Sequence, residues 1–402
     1  MRIGFLFNHD QIHQVAHSLP IALALARSGY GGEIIAATTT EQIAREVIRL
    51  GVPLVGTRIE HVSLALKPTS AKLARLLNPL VPAGKLLVYR DNLDFFRSLD
   101  VLIVAEKASL ILRRHYGLSR PFLVHTRHGA GDRAIGFDKH SAGFDLVLCS
   151  GSKIRKRLMR EVGVPGDSIA VVGYPKFDIA RPSVRLMTGD SPRPVVLYNP
   201  HSSPHLSSWY RHGRAVLDFF LNNDDYELIF APHVMLFERQ YVVTLDRLRI
   251  NWPGRLQERY LRSPNIHIDL GSRASTDMSY TMAADIYLGD VSSQVYEFLY
   301  KPRPCIFLNS HGYEWRGNPD FEHWNAGPVI DHPGMLAQSL AQALNTHVPE
   351  YIKVQQEMLA RSFDISNEPS SQRAARAILE FMDRSGLGER AGKANQQTFA
   401  CA

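Results

Sequence analysis

The chain has 402 residues, of which 45% are apolar and 21% charged, and its formal net charge is +7. This composition argues against a disordered chain and suits a globular protein of about two domains. The basic balance is compatible with an acidic substrate, a nucleotide or an anionic membrane face. The three cysteines form no Cys-x-x-Cys pair, which argues against a disulfide framework and favours a reducing cytoplasm.

Short apolar runs alternate with helical patterns in the first half of the chain, which is typical of βαβ units and a parallel sheet. A helix is predicted from about Gln11 to Ser28, where Gly29 ends it, and another over 41–50. The predicted strands of this half are 3–7, 33–38, 52–55, 101–105, 121–126, 146–149 and 171–173.

Residues 183–194 are polar, carry Gly189, Pro192 and Pro194, and are predicted to be a linker. The alternation then restarts, so the chain is predicted to be an α/β protein of two facing Rossmann-like domains with parallel sheets and an interdomain cleft. We expect an acceptor domain over 1–182, a nucleotide-donor domain over 195–383 and a disordered tail over 384–402. The predicted strands of the second half are 195–198, 227–231, 266–269, 286–289 and 304–308.

The segment from Asp290 to Glu297 is the first candidate site, because it follows a predicted strand and opens a helix. Ser292 and Ser293 would present hydroxyl groups beside free backbone N–H groups, where the helix dipole favours an anion. Glu297, one turn further on, could accept hydrogen bonds from a ribose or polyol hydroxyl. Plain N-capping by Asp290 or Ser292 is the alternative. The position at a strand's carboxyl end in a doubly wound sheet favours a phosphate site.

Histidines follow three other predicted strands. His128 could act as a general base, since an unperturbed imidazole has a pKa of about 6.5. His233 could stabilise negative charge on a transferring phosphate. His17 lies in the first strand-to-helix turn and is a candidate acceptor contact or second base. A surface-loop role for His128 and a capping or packing role for His233 are the alternatives.

The turn after strand 195–198 contains Asn199, Pro200 and Ser202, whose polar groups could line the path of a phosphate. His9, His13 and His17 would share a helix face that could bind a metal, but no cysteine accompanies them and no metal site is predicted.

Several familiar motifs do not occur in the sequence: GxxxxGK[ST], GxGxxG, GxSxG and HExxH. Their absence argues against a P-loop NTPase, a simple dinucleotide dehydrogenase, a serine hydrolase and a zincin. No persuasive Asp-x-Asp follows a strand, which argues against a metal-dependent nucleotide-sugar transferase. No metal and no cofactor are expected. The chain has no basic-aromatic groove pattern, so nucleic acid is not an expected partner.

Residues 67–90 interleave five basic residues with leucines. This pattern predicts an amphipathic stretch that could lie on an anionic membrane, or an ordinary solvated helix with a core-facing stripe. The basic run over 153–160 is typical of a solvated helix face, with polyanion binding as the alternative.

Four motifs occur in a specific order between Val124 and Phe307. Together they resemble the CDP-glycerol glycerophosphotransferase family, the teichoic-acid-type polymerases. They are His128-Gly129 after a strand, Gly173-Tyr174-Pro175-Lys176-Phe177-Asp178, Tyr198-Asn199-Pro200 at a strand exit, and Asp290-Val291-Ser292-Ser293 with Glu297.

This resemblance implies a GT-B fold, a metal-independent site and a donor that is CDP-glycerol or a related CDP-polyol. His128 would be the base, with His17 in reserve and His233 acting on developing charge. The donor-binding residues would be Asn199, Pro200, Ser202, His233, Ser279, Asp290, Ser292, Ser293 and Glu297.

The expected function is the transfer of a polyol phosphate to an acceptor hydroxyl, with release of CMP, in cell-surface polysaccharide biosynthesis. The acceptor would be a polyol phosphate or a glycan, including a lipid-linked one, and the protein would work in the cytoplasm or at the inner face of the membrane. After His128-Gly129 the family's Thr-Pro-Leu-Lys is replaced by Ala130-Gly131-Asp132-Arg133, so other donors and acceptors stay open. The alternatives are a GT-B glycosyltransferase or 2-epimerase using a UDP- or CMP-sugar, and a nucleotide-sensing or polyanion-binding protein.

Overall fold

The computed structural model describes residues 1–8, 12–51, 59–78, 83–127, 131, 137–179, 193–238, 242–244 and 249–387. By their contacts the residues divide into two units. The first unit comprises Met1–His128, Phe137–Ile179 and the chain from Arg361 onward, and the second comprises Gly129–Gly136 and Ala180–Ala360.

The first unit is built on a sheet of seven parallel strands in the order β3-β2-β1-β4-β5-β6-β7. Its central strands are continuous apolar runs because helices cover both faces of such a sheet. In β1, Phe5 and Phe7 pack into one buried cluster while Leu6 packs into another. The strands are β1 (Arg2–Phe7), β2 (Glu33–Thr38), β3 (Ile59–Ser63), β4 (Val101–Val104), β5 (Phe122–His125), β6 (Leu146–Cys149) and β7 (Ile169–Val171). The helices are α1 (Val15–Arg27), α2 (Glu41–Gly51), α3 (Pro68–Leu77), α4 (Ala83–Asp91), α5 (Leu93–Arg97), α6 (Ile111–Arg114) and α7 (Ser152–Arg157).

The second unit contains a sheet of six parallel strands in the order β12-β9-β8-β13-β14-β15 and a separate two-stranded antiparallel hairpin, β10-β11. Numbered along this unit, the six strands follow the order 3-2-1-4-5-6 of a doubly wound nucleotide-binding sheet. The strands are β8 (Val195–Asn199), β9 (Glu227–Phe230), β10 (Val242–Thr244), β11 (Arg249–Asn251), β12 (Ile266–Ile268), β13 (Ile286–Gly289), β14 (Cys305–Leu308) and β15 (Val329–Ile330). The helices that follow are α8 (Trp209–Leu221), α9 (Glu258–Leu261), α10 (Ser279–Ala283), α11 (Gln294–Phe298), α12 (Leu336–Thr346) and α13 (Ile352–Ser362).

The last helix, α14 (Ser370–Arg384), belongs to the first unit. Its residues Ile378 and Phe381 join the same buried cluster as α1, and the Phe381 ring meets Phe122 edge-on. The Asp178 carboxylate accepts the backbone N–H groups of Ser370 and Ser371 at 3.2 and 2.6 Å and so caps the helix. This arrangement differs from the predicted donor domain over 195–383, because long-range packing brings the helix back to the N-terminal unit.

Most predicted strands lie within a residue or two of observed ones. The strand predicted at 171–173 begins earlier, at Ile169, and the prediction did not include β3, β10, β11 or β15. These four strands are short or polar and carry little apolar periodicity. The predicted strand at 52–55 and the tail beyond 387 lie outside the described residues, as does the predicted linker up to residue 192.

Candidate functional site

The carboxyl ends of β8 and β13 lie side by side in the centre of the second unit's sheet, where Gly289 pairs with Asn199. The strand order reverses direction between these two strands. Ligands of open parallel sheets bind outside the carboxyl ends of the strands at such a switch point. Asn199 ends β8 and Asp290 follows β13, so two of the predicted donor-binding residues meet at this place.

The Asp290 carboxylate is fully buried and accepts three hydrogen bonds from the segment that follows β8. The donors are the His201 N–H at 2.9 Å, the Ser208 N–H at 2.6 Å and the Ser208 hydroxyl at 2.8 Å. Burial raises the pKa of Asp290 to about 6, and the hydrogen bonds from Ser208 and His201 oppose that rise. Its backbone carbonyl accepts the Trp324 indole N–H at 3.0 Å. We therefore expect Asp290 to act by holding the loop after β8 against β13, and not through direct contact with donor phosphates.

Asn199 connects three strand ends through its side-chain amide and is also fully buried. Its Nδ2 donates to the Ala231 carbonyl at 2.6 Å, directly after β9. Its Oδ1 accepts the Ser292 hydroxyl at 2.8 Å and the Tyr287 hydroxyl at 3.3 Å. The Ser292 hydroxyl is therefore used inside the protein, where its predicted role was to hold donor phosphate.

Ser293 is exposed, in contrast to Ser292, and directly precedes α11. A Cβ atom at Gly131 would lie 3.1 Å from the Ser293 Cβ, and both residues belong to the second unit. A side chain at position 131 would therefore crowd Ser293, which glycine avoids. Glu297 lies within α11 and is buried. Of the predicted serine pair, Ser293 is the one whose side chain reaches the surface.

Two imidazoles lie together after β8 and β9, with the His201 and His233 ring centroids 5.6 Å apart. His201 Nδ1 accepts the Ser203 N–H at 2.9 Å and His233 Nδ1 accepts the Met235 N–H at 3.3 Å. In the neutral rings the proton is thus on Nε2, which makes that atom the hydrogen-bond donor. His233 was predicted as a site residue. His201 was not, although it stands two positions after Asn199.

A backbone hydrogen bond connects the turn after β8 to the residues after β9, since the His233 N–H donates to the Pro200 carbonyl at 3.0 Å. Ser202 is half-buried and its carbonyl accepts the Tyr210 hydroxyl at 3.4 Å. Ser279 is fully buried at the start of α10, where its N–H donates to Asp277 at 3.0 Å. A direct contact of Ser279 with a donor stays a prediction.

The first unit carries the other two predicted catalytic histidines. His17 is buried on α1 with its ring 5.4 Å from that of Tyr174. His128 lies outside the described residues, so its role as a base stays a prediction. The nearby Arg127 has a left-handed backbone with φ of 53°, and burial lowers its pKa to about 10.

The two doubly wound units, with seven and six parallel strands, define a GT-B fold. No family model matches the chain, and no curated protein matches its sequence. The chain is similar in structure to the wall teichoic acid polymerase TagF, with a TM-score of 0.60 and 12% identity over 95% of this chain and 90% of that one. The resemblance to teichoic-acid-type polymerases is thus confirmed at the level of the fold.

The chain is equally similar to UDP-GlcNAc 2-epimerases. The enzyme from Neisseria meningitidis, bound to UDP-GlcNAc, gives a TM-score of 0.61 and 12% identity over 96% of this chain and 100% of that one. The enzyme from Methanocaldococcus jannaschii gives a TM-score of 0.58 and 15% identity over 94% of this chain and 100% of that one. Because the sequence identities are this low, the structural similarity establishes a shared fold and not a shared activity.

Proposed function

We propose that this protein is an enzyme that transfers glycerol phosphate, or a related polyol phosphate, from a CDP-activated donor to an acceptor hydroxyl. The observation that carries the proposal is the pair of imidazoles, His201 and His233, which lie 5.6 Å apart after β8 and β9. Ser293 follows β13, the strand that neighbours β8 on its other side. Imidazole and hydroxyl donors at this position are suited to a diphosphate. The fold shared with a teichoic acid polymerase supports the same class of donor.

The acceptor oxygen would attack the phosphorus that carries the polyol, forming a new P–O bond. The bond from that phosphorus to the bridging oxygen would break, and CMP would leave with the electron pair. His128 would take the proton of the acceptor hydroxyl, which typically contributes about 10²–10⁴-fold. The Nε2–H groups of His201 and His233 would stabilise charge on the leaving phosphate, each worth about 10²–10³-fold.

A 2-epimerase or glycosyltransferase acting on a UDP- or CMP-sugar is the second candidate. The favouring observation is that the 2-epimerases match this chain over a comparable length and with a comparable TM-score. The same imidazoles would then face the diphosphate of a nucleotide sugar.

A donor screen tests the proposal. The purified protein is given CDP-glycerol, CDP-ribitol, UDP-GlcNAc or a CMP-sugar, each with and without glycerol phosphate as a simple acceptor, and the released nucleotide is measured. CMP release from a CDP-polyol supports the proposal. Nucleotide release from UDP-GlcNAc or the CMP-sugar alone replaces it with the second candidate. Thermal stabilisation by nucleotides without any turnover would indicate a nucleotide-sensing protein.

We further propose that α3 and α4 rest on an anionic membrane at the inner face of the cell, where a lipid-linked acceptor would be found. The stretch predicted to be amphipathic forms these two helices, and Leu73, Leu76 and Leu86 are exposed on them. Residues 61–90 contain five lysines and arginines and no acidic residue. Exposed leucines among cations suit an anionic lipid surface. Within the described ranges, no helix has the length and apolarity to cross a bilayer.

A further inference from the structure

A second polar cluster lies at the carboxyl edge of the second unit's sheet and was not predicted from the sequence. It draws on the loop after β8, the first turn of α8, the loop after β14 and the turn after β15. β8 and β14 flank β13 in the sheet, so these segments are neighbours at one edge. The cluster consists of His205, Arg211, His212, Ser310, His311 and His332.

Hydrogen bonds and ring contacts hold the cluster together. Arg211 donates from its guanidinium to the Ser310 carbonyl at 2.7 Å. His311 donates from Nε2 to the Ser207 carbonyl at 3.0 Å, because a carbonyl can only accept. The rings of His212 and His332 meet edge to face with centroids 5.5 Å apart.

The ionisable side chains of the cluster are all basic, four histidines and one arginine. Burial lowers the pKa of His311, and Arg211, His205 and His212 lower it further, against a rise caused by the hydrogen bond to Ser207. Burial likewise lowers the pKa of His212, with His332 and Arg211 adding to the effect. Each cation therefore disfavours the protonation of its neighbours, and a bound anion would relieve that repulsion.

Ser310, whose carbonyl accepts the hydrogen bond from Arg211, also carries a buried hydroxyl. This hydroxyl makes no hydrogen bond within the part of the chain that the structure describes. A buried polar group without a partner costs free energy, which a bound ligand would recover. The donors left to a ligand are the other N–H groups of the Arg211 guanidinium, the Ser310 hydroxyl and, once protonated, the imidazoles. A phosphoryl group, with three or more oxygens, can satisfy them.

We propose that this cluster binds a phosphoryl group, as a subsite separate from the Asn199–Ser292 switch point. The phosphoryl group belongs either to the donor diphosphate or to a phosphate-bearing acceptor. The subsite itself does not depend on the proposed reaction, since inorganic phosphate can occupy it without turnover.

Phosphate binding is expected to be coupled to proton uptake. The bound anion favours the charged forms of His311 and His212, whose pKa values are lowered in the free protein. Inorganic phosphate itself gains negative charge between pH 6 and pH 8, so the coupling is measured with sulfate, whose charge is constant. Affinity for sulfate should fall as the pH rises over that range.

Calorimetric titration with inorganic phosphate tests the subsite. Titration with sulfate at pH 6 and pH 8, in two buffers of different ionisation enthalpy, tests the proton coupling. We expect net proton uptake, and affinity at least about fivefold weaker in His311→Gln and Arg211→Gln, with Arg211→Lys recovering part of it. His115→Gln, a change at an exposed histidine of the first unit, is the matched control. Circular dichroism verifies that each variant is folded.

Phosphate affinity that is the same in the folded variants and the control would overturn the subsite. The same variants also distinguish the two sources of the phosphoryl group. A higher KM for CDP-glycerol would assign the group to the donor, and a higher KM for a glycerol phosphate acceptor alone would assign it to the acceptor. Phosphate binding together with a failed donor screen would retain the subsite and remove the proposed reaction.

Discussion

The Ser292 hydroxyl donates a hydrogen bond of 2.8 Å to Asn199 Oδ1, across 93 positions of sequence. It fastens the turn after β13 to the end of β8 at the point where the strand order of the second unit reverses. The neighbouring Ser293 faces solvent. One serine of the pair therefore shapes the site, and the other is available to a ligand.

Because Ser292 is buried and Ser293 is exposed, we expect their alanine substitutions to have different effects. Ser292→Ala removes a buried hydrogen bond and should lower the free energy of unfolding by about 1–2 kcal/mol. Ser293→Ala changes an exposed side chain and should alter stability by less than about 0.5 kcal/mol, while raising the KM for the donor. Urea denaturation and nucleotide-release kinetics measure the two effects. If the free energy of unfolding of Ser292→Ala equals that of the wild type, the structural role of the Ser292 hydroxyl is contradicted.

The raised pKa of Asp290 leads us to predict that the free energy of unfolding depends on pH. Its pKa in the folded protein is about 6, above the ordinary value of 3.8. Between these values the folded state binds more protons than the unfolded state, so this group's contribution to stability decreases as pH rises from about 4 to 6. Asp290→Asn does not titrate. The stability of the wild type relative to Asp290→Asn should fall by about 1–3 kcal/mol over that window, measured by urea denaturation at each pH. A constant difference would argue against the raised pKa.

We expect substitution of Arg303 to cause a large loss of stability. Its guanidinium donates to the carbonyls of Thr281 and Phe298 at 2.6 and 2.8 Å, next to the ends of α10 and α11, and lies 3.9 Å from the centre of the Phe298 ring. Arg303→Met leaves these carbonyls without a donor, and we expect a cost of about 2–4 kcal/mol. Thermal and urea unfolding measure it.

Arg262→Met is the matched control for Arg303→Met. Arg262 forms an exposed ion pair with Glu258, so its loss should cost less than about 0.5 kcal/mol. Equal effects of the two substitutions would show that the half-buried Arg303 guanidinium contributes no more to stability than an exposed ion pair.

If His128 is the base, its substitution should reduce turnover without unfolding the protein. His128→Ala should reduce CMP release from a CDP-polyol by more than about 100-fold without altering the circular dichroism spectrum. His115→Ala, at an exposed histidine of the same unit, should keep normal activity. Near-normal turnover of His128→Ala would remove His128 from this role.

The proposed membrane surface predicts charge- and salt-sensitive binding. Leu76 is 74% exposed on α3, and Leu76→Glu should abolish flotation with anionic liposomes. Leu344→Glu, at a leucine 53% exposed on α12, should leave flotation unchanged. Rising salt should weaken wild-type binding, because it screens the basic residues. Equal flotation of both variants would exclude α3 as the contact.

The positions of most strands along the chain, and the polar residues at their ends, could be predicted from the sequence. The runs at β2, β6 and β13 were placed at their observed bounds, because buried parallel strands are continuous apolar segments. The edge strand β3 was not predicted because Glu60 and His61 interrupt its apolar pattern. The predicted donor residues Asn199, Asp290 and Ser292 do come together, since the carboxyl ends of neighbouring parallel strands share one edge.

The local pattern of apolar residues and turns was enough to determine two α/β units and to place polar residues at the strand ends, since periodicity and strand length are properties of short segments. Only the tertiary structure decided which of those polar groups are buried in internal hydrogen bonds, as with Ser292 and Asp290, and which reach the surface, as with Ser293. It also brought α14 to the first unit and gathered Arg211 with His311 from distant segments. Such choices depend on contacts between residues far apart in the chain, which no local pattern contains.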